Sequence, residues 1–97
     1  MKFADLPLHD AVLSSCHVTW EADRCDFLVH LVGGSAHWLI FEGFTALQLP
    51  NEKPWGPSSS INEVRQTDAQ EFEIELQSGD VLRIKASLWI FRADGAA

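Results

Sequence analysis

The side chains best equipped for proton transfer, nucleophilic attack or metal binding are four histidines and two cysteines. The pair His9-Asp10 has the residue types of an acid–base couple, and Ser58, Ser59 and Ser60 offer hydroxyl nucleophiles to go with it. General-base catalysis requires such groups within hydrogen-bond reach of one another, which adjacency in sequence does not supply. The serines also lack the strained G-x-S-x-G elbow that exposes a nucleophile. Asp10 has a competing structural use as the N-cap of a short helix beginning at Ala11. No catalytic residue is therefore assigned, and the balance leans away from an enzyme. The alternative is a small-ligand binder or enzyme with a pocket lined by His9, Asp10 and the segment Ser58 to Ser60.

A zinc site needs three or four ligands converging about 2.0–2.2 Å from the metal. His9, His17, His30 and His37 show neither H-x-H nor H-x-x-x-H spacing. The strand registers given below place His17 and His30 on one sheet face and His37 on the other, with His9 ahead of the sheet. Cys16 and Cys25 make no C-x-x-C or other zinc-ligand pattern. No metal and no cofactor are expected. Glu71, Glu73 and Glu75 alternate with apolar residues and could attract a cation or a basic partner. With Arg83 and Lys85 on the strand after the next turn, a solvated, charge-paired sheet face is the favoured reading.

Recognition is the remaining chemistry. Pro50 to Ser60 is longer than most connections, and long connections are more often functional or disordered. Pro54 and Pro57 restrict the backbone on either side of Trp55. A tryptophan in a stiff turn makes a good binding anchor because it has little conformational entropy to lose. Trp55, with Pro54, Pro57 and Ser58, is thus the candidate contact. The competing reading has Trp55 folded back over one end of the core.

The formal net charge is −7, and the seven basic residues are scattered among fourteen acidic ones. Nucleic acids and anionic membranes attract clustered Lys and Arg, so neither partner is expected. A basic protein partner is compatible with the charge, although acidity also serves solubility. No stretch approaches the roughly 20 apolar residues of a spanning helix, and no signal peptide is evident. A cytoplasmic location with reduced thiols is the expectation.

The elements that must position these residues follow from periodicity. Chain length suits one domain spanning 1–97, with residues 93–97 expected to fray. A turn or short helical piece leads into the first strand. From Ser15 the period is two, as in a half-buried strand. Cys16, Val18 and Trp20 then oppose Val29, Phe27 and Cys25 across a Glu21–Arg24 turn. That register separates the cysteines and argues against a disulfide. Gly33-Gly34-Ser35 is the next turn, setting Val29 against Leu39 and Phe27 against Phe41. The opposite face pairs His30 with Trp38 and Leu28 with Ile40. Both faces are apolar, which calls for cover by a second layer, a terminal segment or another subunit. Gly43 signals a bulge or sharp bend. Around Ser78-Gly79-Asp80, Leu76 meets Leu82, Ile74 meets Ile84, Glu75 meets Arg83 and Glu73 meets Lys85. The strand then continues through Phe91. Successive hairpins without a long helical period predict an all-β fold: an antiparallel meander forming a small sandwich or barrel-like bent sheet, with at most one short N-terminal helical turn.

Three strings, Leu8-His9-Asp10-Ala11, Pro54-Trp55-Gly56-Pro57-Ser58 with Ser60-Ile61-Asn62, and Gln77-Ser78-Gly79-Asp80, span most of the chain. Together they resemble a family of small bacterial proteins with no assigned activity. The resemblance implies a bacterial source and a complete domain, and it transfers no catalytic residue. The expected function is a non-catalytic protein-interaction or binding module of a bacterial cytosol. It would use the Trp55 loop, with the outer face of Trp38 and Ile40 as a further contact. A protein partner or a second copy of the chain is the expected occupant.

Overall fold

Two four-stranded antiparallel sheets make up the computed structural model, which describes residues 2–49 and 60–95. The first sheet is ordered β1 (Val12–Thr19), β2 (Arg24–His30), β3 (Ala36–Glu42), β8 (Leu88–Ala93). The second is ordered β4 (Ala46–Gln48), β7 (Val81–Lys85), β6 (Glu71–Leu76), β5 (Ile61–Asp68). The chain is all-β as expected, and among the described residues its helical structure is confined to 3₁₀ turns at Phe3–Asp5 and Trp20–Ala22.

The alternation that defined the strands also builds the core. Cys25, Phe27 and Val29 of β2 and Leu39 and Phe41 of β3 are buried against Phe72 and Ile74 of β6 and Leu82 and Ile84 of β7. Phe3 joins them from the N-terminal turn. Its ring lies 5.9 Å from Phe41, 5.0 Å from Phe72 and 5.5 Å from Trp89. Residues from both sheets and the N-terminus therefore share one aromatic cluster.

The sheets are joined at a corner. The β3–β8 ladder ends at Glu42 opposite Leu88, and the β4–β7 ladder begins at Ala46 opposite Lys85. Between these pairs one side of the corner holds one residue more than the other, as in a bulge. Hydrogen bonds from Ser87 N–H to the Glu42 carbonyl and from Thr45 N–H to the Lys85 carbonyl, both 2.9 Å, carry the chain round the bend. The long strand expected from Val81 through Phe91 is thus broken at Ala86 and Ser87. Gly43 marks the bend as predicted, with φ of +67°.

Each of the three hairpin registers expected from the sequence is shifted by two residues, and the core-facing sets of β2, β3, β6 and β7 are nonetheless correct. Cys25 opposes Val18 rather than Trp20, Phe27 opposes Leu39 rather than Phe41, and Ile74 opposes Leu82 rather than Ile84. The turns explain the shift. Gly79 N–H donates to the Leu76 carbonyl and Leu76 N–H donates to the Asp80 carbonyl, so the loop is Gln77-Ser78-Gly79. Gly34 and Ser35 bond to Leu31 in the same way. The positive-φ residue closes the loop, as in three-residue hairpins where the left-handed position comes last. Asp23, with φ of +49°, plays that part between β1 and β2. Trp20 leaves the strand for that turn, where it is 77% exposed.

β8 runs to Ala93, and Asp94 N–H donates to the Ala36 carbonyl. Pairing therefore extends into the stretch whose composition suggested a tail.

Candidate functional site

The outer faces of the two sheets differ in kind. On the second sheet the period-two glutamates of β6 meet basic residues of β5 and β7. Arg65 reaches Glu63, Glu73 and Glu75; Arg83 lies 3.1 Å from Glu73, and Lys85 lies 3.4 Å from Glu71. The charge-paired face anticipated above is present with partners shifted by the register. Hydrogen bonds from Asn62 and Arg65 hold the Glu75 carboxyl below its ordinary range. This face is satisfied in its own right, although exposed pairs of this kind contribute little to stability.

The first sheet turns a different surface outward. Its core-facing residues fix the opposite set by alternation. Cross-strand rows on that outer face run Leu28, Trp38, Arg92; then Asp26, Ile40, Ile90; then Arg24, Glu42, Leu88. The centre is apolar. Ile40 is 2% exposed although it belongs to the outer face and not to the central core, so its neighbours on that face cover it. Ile90 and Leu88 beside it are 37% and 44% exposed. Arg24 donates to Asp26 at 2.8 Å, and Trp38 Nε1 donates to Asp94 at 2.8 Å, tying the indole to the end of β8. Trp38 and Ile40 thus lie side by side on one outer face, as the sequence indicated. Leu88 and Ile90 complete the patch because β8 pairs with β3. The signal for them was the run Leu88 to Phe91, apolar on both parities.

Trp55, Pro54, Pro57, Ser58 and Ser59 lie outside the described residues. His9 and Asp10 are both exposed and touch each other, Nδ1 to Oδ2, at 3.2 Å. Asp10 does not cap a helix: β1 begins at Val12, and Asp10 sits in a turn with φ of +66°. Its N–H donates to the Ile61 carbonyl, and its carboxylate accepts from Gln77 Nε2. Gln77 N–H donates in turn to the Ser60 carbonyl at 2.8 Å. The structure therefore brings Asp10 and Ser60 to one corner, joined through Gln77 and the backbone. Two clefts lie elsewhere. One of about 140 Å³ is lined by residues such as Thr67, Phe72 and Lys85, and one of about 500 Å³ by residues such as Lys2, Gln66 and Trp89. Neither includes His9, Asp10 or Ser60.

His17 and His30 pair with Asp26 and Val12 on outward positions, whereas His37 stacks on Phe91 with ring centroids 4.9 Å apart. Among the described residues no group of three or more His, Cys, Asp and Glu could hold a metal ion, and no helix is long and apolar enough to cross a membrane. No protein-family model, curated protein or solved structure matches this chain.

Proposed function

We propose that this chain is a non-catalytic protein-interaction module of a bacterial cytosol that associates through the outer face of the β1-β2-β3-β8 sheet, and that a second copy of the chain occupies that face. The observation that carries the reading is the contrast between the two outer faces, one closed by its own ion pairs and one with an apolar centre around Ile40. Contiguous exposed apolar surface marks interfaces. The charge rim supports a like partner. Arg24 and Arg92 stand among Asp26, Glu42 and Asp94, so both signs are present and two such faces can meet without concentrating the charge of −7. Most of the negative surplus sits instead at turns and ends, in residues such as Asp5, Asp10, Glu21, Asp23, Asp68 and Asp80.

The test is oligomeric state. Sedimentation equilibrium of the wild-type chain is expected to show a concentration-dependent dimer. Ile90→Asp should weaken it by 10-fold or more, because truncated or charged anchors near the centre of an interface carry most of its energy, while the circular dichroism spectrum stays native. A monomer at every concentration would sink the second-copy reading. The Trp55 loop is a second proposed contact: Trp55→Ala should reduce association without unfolding the domain. The pocket alternative, with His9, Asp10 and Ser58 to Ser60, draws support from the Asp10–Gln77–Ser60 corner.

A further inference from the structure

The two-residue shift of the β1–β2 register changes the relation between the cysteines. Cys16 opposes Phe27 and Cys25 opposes Val18, so the two thiols are diagonal neighbours on one face of an antiparallel pair. Diagonal neighbours on adjacent strands are within reach of each other's side chains. Here the sulfur atoms are 3.8 Å apart, at van der Waals contact. Cys16 is exposed and Cys25 fully buried. β1 lies at the edge of its sheet and carries a bulge between Leu13 and Ser15, so at Cys16 it is paired with one strand, β2.

We propose that Cys16 and Cys25 form a reversible thiol–disulfide switch, in which Cys16 meets a peroxide and Cys25 resolves the product. The pair divides the work by environment. A hydrogen bond from Cys25 lowers the Cys16 thiol below its ordinary range, against the opposing effects of burial and the Asp26 charge. The same hydrogen bond, and then burial, push Cys25 far up, so it stays protonated while Cys16 carries the thiolate. Nucleophilic, exposed thiolates beside a resolving cysteine are the sites that oxidants select.

The chemistry balances in two steps. The Cys16 thiolate attacks the distal oxygen of a hydroperoxide, the O–O bond breaks, and the departing alkoxide or hydroxide takes a proton from solvent. The sulfur is oxidised by two electrons to a sulfenic acid and the peroxide is reduced to an alcohol or water. Cys25 then attacks the Cys16 sulfur, the S–S bond forms, the S–O bond breaks, and hydroxide leaves with the Cys25 proton as water. A dithiol reductant attacking the exposed Cys16 sulfur reverses the change by exchange. Disulfides that are transient and redox-sensing are the kind found in reducing compartments.

Hydrogen peroxide is the probe. After brief treatment at low molar excess, the wild-type chain should lose about two mass units, run as a single chain without reductant, and take up no maleimide, whereas the reduced chain takes up two. The cross-link should also raise the melting temperature by about 10 °C, since it closes a short loop in the unfolded chain. Dithiothreitol should restore both thiols. Cys25→Ser should stop at a sulfenic acid that dimedone traps, and Cys16→Ser should react at least 10-fold more slowly with its fold intact. Two maleimide labels after peroxide has been consumed, direct passage of wild-type Cys16 to the sulfinic acid, or a disulfide linking two chains would each overturn the proposal.

Discussion

Gly43→Ala is expected to lower the melting temperature by about 10 °C or more, a large loss for one added methyl group. A side chain at φ of +67° is strained by about 1–2 kcal/mol. A Cβ at position 43 would also lie 2.3 Å from the Ser87 hydroxyl oxygen and 2.7 Å from its Cβ. The oxygen could rotate away, but the Cβ moves only with the backbone of the corner, and overpacking of this sort costs about 1–3 kcal/mol. Together the terms give about 2–5 kcal/mol, and each kcal/mol is worth roughly 4–8 °C in a domain of this size. Thermal denaturation followed by circular dichroism reads the effect. The double variant with Ser87→Gly should recover about half of the loss, since it removes the clash and leaves the strain. If the single and double variants melted together, the steric account of the corner would be wrong.

Phe3→Ala is expected to remove about 3–5 kcal/mol, the range for deleting a buried phenylalanine. Phe3 is 1% exposed and its ring touches aromatic residues from both sheets. A domain of this size holds about 5–10 kcal/mol in all, so the variant would lose roughly a third of its stability or more. Its midpoint in urea should fall well below that of wild type, while Phe3→Leu should stay much closer. Trp20→Ala is the contrast, because a side chain 77% exposed has little burial to lose. A loss at Phe3 as small as that expected at Trp20 would mean that the N-terminal turn is not part of the core.

What could be read in the sequence follows from the period of a strand. Alternation assigned the faces of β2, β3, β6 and β7 correctly, because a slip of two residues leaves parity untouched. It also anticipated the glutamate face and the joint position of Trp38 and Ile40. The registers themselves depended on which loop residue takes the left-handed conformation, and Asp23, Gly34 and Gly79 each close their loops. The Cys16–Cys25 contact was hidden by that same offset. Phe3 gave no periodic signal, since a single anchor in a 3₁₀ turn has no pattern around it. The β3–β8 pairing, which brings Leu88 and Ile90 beside Ile40, joins distant segments and leaves no local mark.

That last pairing has a kinetic consequence. β1–β2, β2–β3, β5–β6 and β6–β7 join strands adjacent in sequence, so they can zip up from their turns. Among the ladders of the described residues, β3–β8 and β4–β7 are the ones that close long loops, the former between residues roughly fifty positions apart. The chain can therefore form two three-stranded meanders early and independently, and the corner at Gly43 is where they dock. Bonds made after the rate-limiting step slow unfolding without hastening folding. The bend at Gly43 and Ser87 is on this view the latch of the molecule: it decides how long the folded state lasts more than how quickly it is reached.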